Sequence, residues 1–183
     1  MGLYGIFGEM NAQERHSTAI HEAAHGVIAR QLGLGVSKIE IYDPPKIERD
    51  LEHPSVIHGR THVESAINLA NDCKDEDTKL GALAYSMICR LAGPAASRVI
   101  GEDSGSSDYR AIFRPLGLAF DSGLFNTADD AATFAAEVKQ LERLAEQLVA
   151  DNWSSIKRVA SALMDQGQVG QKELDRLCSQ TAH

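Results

Sequence analysis

Apolar residues at Ile20, Ala23, Ala24, Val27, Ile28 and Leu32 recur every three or four positions, which is the spacing of one face of a helix. Asn11 followed three residues later by Glu14 reads as an N-terminal capping box, and Gly33 suits the position just past a helix end. Gly35 to Tyr42 then alternates apolar and polar residues, which predicts a strand with Val36, Ile39 and Ile41 turned inward. Asp43 to Pro54 is polar and holds three prolines, so a loop excursion is expected over 43–58, its charged residues mostly solvated. Val56 to Val63 predicts a second strand at its far side.

Glu64 to Ala70 reads as a short helix, and Asn71 to Thr78 as a charged turn leading into the next one. From Thr78 to Ile100, Leu80, Leu83, Ala84, Met87, Ile88, Leu91 and Ala95 mark a central core helix. Pro94 inside it removes one backbone hydrogen bond and is expected to kink it near Arg90 and Leu91. Gly101 to Asp108 is a small, polar loop. Thr127 with Asp130 predicts the cap of a helix to about Ala150, with Phe134, Val138, Leu141, Leu144 and Leu148 on its inner side. Trp153 to Met164 and Lys172 to Cys178 complete the set, punctuated by Gly167 and Gly170. The expected fold is mainly α (α+β), with a small β-sheet or hairpin beside the first helix. It forms one domain over 1–183, with an N-terminal segment at 1–11 and C-terminal helices at 127–178.

The first helix carries His21-Glu22-Ala23-Ala24-His25. Residues four apart lie about 40° apart around a helix, one turn above each other, so both imidazoles can hold one metal ion. Glu22 follows His21 directly, where it can stand beside the metal without binding it and act as base on a water the metal activates. The plainer alternative is a helix with one buried, hydrogen-bonded histidine and one surface histidine. His16, five residues before His21, falls off the ligand face. His58 and His62 share one face of the second strand and fit solvent-facing or hydrogen-bonded roles better than ligation. Spacing alone leaves Glu102, Asp103 and Asp108 open as a third ligand.

Composition narrows the partners. The net charge of −8 argues against nucleic acid or an anionic membrane surface, which favour basic patches. No apolar run approaches the roughly 18 residues of a membrane span, and the N-terminus lacks the features of a signal peptide or a myristoylation site. Cys73, Cys89 and Cys178 are odd in number and contain no C-x-x-C, which suggests reduced thiols in a cytoplasmic protein. Cys89 reads as core filler.

The order of the motifs resembles the zinc peptidase domain of the FtsH-type AAA proteases. That family has a helix with H-E-A-G-H-A, then a strand, a later helix ending in an L-G-G-R-A-A-E-like run, and a loop ending S-N-D. The counterparts here are His21 to Gly26, Leu91-Ala-Gly-Pro-Ala-Ala-Ser97 and Ser104-Gly-Ser-Ser-Asp108. The stretch Ala145 to Leu177, with Trp153, resembles the family's closing helices, so the likeness runs from about Gln13 onward. It implies Asp108 as third ligand and Zn2+ as the metal, leaving one coordination position for water. The implied activity is that of a metalloendopeptidase with Glu22 as general base, acting on peptides or unstructured segments. Gly59 and Thr61, on the second strand, are candidates for substrate binding along its edge.

The departures bear on function. No P-loop is present, so an ATP-independent enzyme is expected, with a separate ATPase or homo-oligomer as candidate partner. Ser97 stands where the family has glutamate, which alters the surroundings of the metal. Ser107 replaces the asparagine before Asp108. The competing reading is a metal-stabilised interaction or regulatory module without catalysis; a zinc hydrolase of another amide bond is a third.

Overall fold

Asn11 starts the first helix. Its side chain accepts from the Glu14 N–H at 2.9 Å while the Glu14 carboxylate accepts from the Asn11 N–H at 2.9 Å, closing the expected capping box. In this computed structural model, which describes residues 9–49, 54–64, 75–102, 108 and 131–180, helix α1 then runs Ala12–Gln31. Gly33 ends it at φ +78°. The N–H groups of Gly33 and Leu34 return to the carbonyls of Arg30 and Ala29, a left-handed turn that suits glycine.

Strand β1 follows at Val36–Arg49 and pairs antiparallel with β2, Pro54–Val63. This corrects the expected excursion over 43–58, since residues 43–49 continue the strand. Pro44 and Pro45 are absorbed in a bulge: four residues, Tyr42 to Pro45, face the single residue His58 between the Ile41–Gly59 and Lys46–Ile57 pairs. Proline has no N–H to give a ladder, and a bulge asks for none. Asp43 anchors the bulge to α1 by accepting from the Met10 N–H at 3.0 Å and pairing with Arg15 at 2.7 Å.

Helix α2 spans Glu76–Val99 and continues through Pro94 as one element. After it come α3 (Ala131–Asp151), α4 (Trp153–Gln166), the three-residue strand β3 (Gln168–Gly170) and α5 (Gln171–Ser179). The architecture is thus mainly helical with one small antiparallel sheet of order β2-β1-β3. The sequence reading did not include β3. Its single buried residue, Val169 opposite Ile39, is too short a pattern to register as alternation.

Helix α1 packs against α2, α4 and both long strands, which makes it the element the others surround. Its stripe of Ile20, Ala23, Ala24, Val27 and Ile28 is buried as expected, as are Val36, Ile39 and Ile41 of β1. Gly26 lets the sheet approach: a Cβ there would lie 2.2 Å from Ile39 Cδ1. The inner side of α3 differs from expectation. Leu144 is 45% exposed, whereas Ala145 and Val149 are buried, with Val138, Leu141 and Leu148 at the margin. Residues 65–70 of the expected short helix, the loop at 103–107, the Thr127–Asp130 cap and the side chains of Leu80 and Phe134 lie outside the described residues. Among the described residues, no helix is long and apolar enough to cross a membrane.

Candidate metal centre

His21 and His25 project from the face of α1 that meets α2. Helical spacing stacks the two rings, with their Nε2 atoms 3.1 Å apart. Asp108 arrives from the other side: its Oδ2 lies 2.9 Å from His21 Nε2 and its Oδ1 3.6 Å from His25 Nε2. Three ligand-type atoms therefore converge, and among the described residues this is the one such grouping of His, Cys, Asp and Glu.

Each ring is oriented by its other nitrogen. His25 Nδ1 lies 2.7 Å from the main-chain oxygen of Cys89. A carbonyl only accepts, so Nδ1 carries a proton and Nε2 is the nitrogen that faces the cluster, its lone pair free for a metal once its own proton has left. His21 Nδ1 meets Ser97 Oγ at 3.1 Å, and Ser97 is 1% exposed. Such outer contacts fix the tautomer and rotation of metal-binding histidines.

The donor set fits a small divalent cation. Ligand bonds of about 2.0–2.2 Å in a tetrahedron put neighbouring ligand atoms about 3.3 Å apart, close to the three separations found. Space is reserved as well. A Cβ on Gly93 of α2 would stand 2.4 Å from His25 Nε2 and 2.6 Å from His21 Nε2, so any larger residue would occupy the place where the donors converge.

The electrostatics of the cluster favour positive charge. Burial alone would lower the pKa of His25, but the charge and hydrogen bond of Asp108 outweigh it and raise the group to about 9. Burial works against ionising Asp108 too, yet His25 and His21 hold its carboxyl well below the usual range. An anion facing two imidazoles calls for positive charge, which a proton or a metal can supply.

Glu22 sits beside this group without joining it. It is 8% exposed, and its Oε2 accepts from Thr61 Oγ1 at 2.8 Å. Thr61 and Gly59 lie on β2, on the face turned toward α1. The structure thus brings together His21, His25 and Asp108, places Glu22 next to them, and sets Gly59 and Thr61 against Glu22. His16 and His58 are exposed. His62 bonds Glu40 on the sheet's other face at 3.0 Å. Of the acids left open by spacing, Glu102 accepts from Gln13 at 3.1 Å, and Asp103 lies outside the described residues.

Two contributors escaped the sequence reading. Gly93 has a signal available in advance, a glycine in the middle of an apolar helix at a position where glycine costs stability. The carbonyl of Cys89 has none, because any residue carries one. No protein-family model matches this chain, and no curated protein matches it. The geometry of the site itself therefore carries the functional reading.

Proposed function

We propose that this chain is a zinc-dependent endopeptidase cleaving peptides or unstructured protein segments. The observation that carries the reading is the convergence of His21, His25 and Asp108 beside a buried carboxylate, Glu22, that is held out of the ligand set. Nitrogen and oxygen donors in this number fit catalytic zinc better than calcium or magnesium, which favour oxygen alone. Bound there, the ion would supply Lewis-acid chemistry, acidifying water and polarising the scissile carbonyl. Glu22 takes the proton of the attacking water and returns it to the leaving amine. The family resemblance in the sequence supports the same roles.

Strand β2 lies at the end of the sheet order, and an edge strand accepts an extended peptide through main-chain hydrogen bonds. A groove of about 650 Å3 continues past Thr61, lined by Gly35, Ser37, His62, Glu64 and Gln171 among others. The free, unbridged Cys89 and Cys178 fit a cytoplasmic setting. A second reading, a metal-stabilised interaction module, is favoured by Ser97, whose neutral hydroxyl sits at His21 Nδ1 where the resembled family has a carboxylate.

The test is zinc-loaded protein against casein, beside Glu22→Gln. Cleavage lost in the variant, with metal content and melting temperature unchanged, is the expected result. No cleavage by the zinc-loaded wild type would give the site to the second reading, whereas cleavage that persists in Glu22→Gln would refute Glu22 as the base.

A further inference from the structure

Gly59 and Thr61 are two residues apart on β2 and so belong to the same face, the one turned to α1. Both meet Glu22. A Cβ at Gly59 would lie 2.7 Å from Glu22 Cγ and 3.0 Å from the Glu40 carbonyl oxygen, so glycine opens a slot for the Glu22 stem. Thr61 Oγ1 stands 2.8 Å from Glu22 Oε2 and 2.8 Å from the main-chain oxygen of Glu22. Both oxygens only accept, so the single hydroxyl proton is shared between the carboxylate and the main-chain oxygen of the same residue. Threonine suits the task, because its branched side chain is stiff at χ1 and its hydroxyl is fixed once the strand is fixed.

We propose that Thr61 is the positioning residue for Glu22. This rests on the endopeptidase reading for its role in turnover. Glu22 has three rotatable bonds and a short reach to the cluster next door. Untethered, its carboxylate can swing toward the position a water or substrate must occupy. The Thr61 hydroxyl removes that freedom, and the empty space at Gly59 permits the one rotamer the hydroxyl selects. Misplacement of a reacting group by about 1 Å costs on the order of 100-fold in rate.

The experiment compares zinc-loaded wild type, Thr61→Val and Thr61→Ser, with Glu22→Gln as the reference for a lost base. Crystal structures of the loaded proteins read the place of the Glu22 carboxylate, and kinetics on an unstructured peptide read turnover. Thr61→Val is expected to keep its zinc, release the carboxylate from β2 and lower kcat roughly 10- to 100-fold with little change in KM. Thr61→Ser, which retains the hydroxyl, is expected to restore both position and kcat. Thr61→Ala gives the same reading if valine disturbs the strand. A Glu22 carboxylate that stays in place without the Thr61 hydroxyl would overturn the proposal, whether or not the protein proves to be a peptidase. Full kcat in Thr61→Val alongside a dead Glu22→Gln would overturn it while leaving the peptidase reading intact.

Discussion

His25 and Cys89 exchange two hydrogen bonds across the α1–α2 interface. The imidazole Nδ1–H donates to the Cys89 carbonyl at 2.7 Å, and the Cys89 thiol reaches the His25 carbonyl at 3.4 Å. Burial pushes the thiol up to about 12, so it remains protonated and a donor. The ligand ring is thereby fixed to the one helix that also supplies Gly93 and Ser97.

On the proposed metal reading, this arrangement would set the pH dependence of ion binding. In the metal-free protein His25 holds a proton up to about pH 9. With Nδ1–H bonded to Cys89, the proton that a metal displaces is the one on Nε2. Metal affinity is therefore expected to rise about tenfold per pH unit from pH 7 toward 9, with close to one proton released per ion. The sign for stability is opposite. A raised histidine pKa stabilises the metal-free fold fully below about 6.5, and that contribution fades as pH rises through 9. Calorimetric titration in buffers of different ionisation enthalpy, beside melts of chelated protein, checks both. A pH-independent affinity would refute the displaced-proton account.

Gly93→Ala tests the cradle. A methyl group 2.4 and 2.6 Å from the two Nε2 atoms must push the rings apart or fill the ion's place. Zinc content by elemental analysis is expected to fall to near zero. The fold should survive with a loss of about 1–3 kcal/mol from overpacking, partly offset by the better helix propensity of alanine. One full equivalent of zinc in Gly93→Ala would show that the rings yield freely.

On the outer face of the sheet, Glu40 accepts from Tyr42 Oη at 2.6 Å and from His62 Nε2 at 3.0 Å, and pairs with Lys38 at 2.8 Å. Burial works to raise its pKa, but these three partners bring it down to about 2. A depressed carboxyl contributes stability above its unfolded pKa and loses it as pH falls toward 2. Glu40→Gln is expected to cost about 1–2 kcal/mol at pH 7, a figure reduced for the solvent around Lys38 and His62. The difference from wild type should vanish near pH 2. Denaturant titrations at pH 7, 4 and 2.5 would expose a constant gap if the carboxyl charge is irrelevant.

The helices and the two histidines were legible because periodicity and H-e-x-x-H spacing are local properties of the chain. Asn11, Glu14 and Gly33 marked the ends of α1 for the same reason, their chemistry acting within a few residues. The strand through Asp43-Pro44-Pro45 was not legible. Its prolines speak for a loop locally, and only Met10, Arg15 and the lone facing residue His58 make a bulge of it. Leu144 likewise fits a helical stripe by count, but the neighbouring helices decide which flank of α3 is covered. The Thr61–Glu22 contact joins residues 39 positions apart in the chain, beyond any local pattern, so the sequence reading did not include it.

The candidate ligands come from distant parts of the chain, His21 and Asp108 being 87 positions apart. An ion held by both acts as a reversible staple, closing a long loop that the unfolded chain leaves open. Folding and loading are then one linked equilibrium. On the proposed metal reading, free ion at 100 times its dissociation constant would add about 2.7 kcal/mol to the folded state, tying the protein's persistence to the supply of that ion.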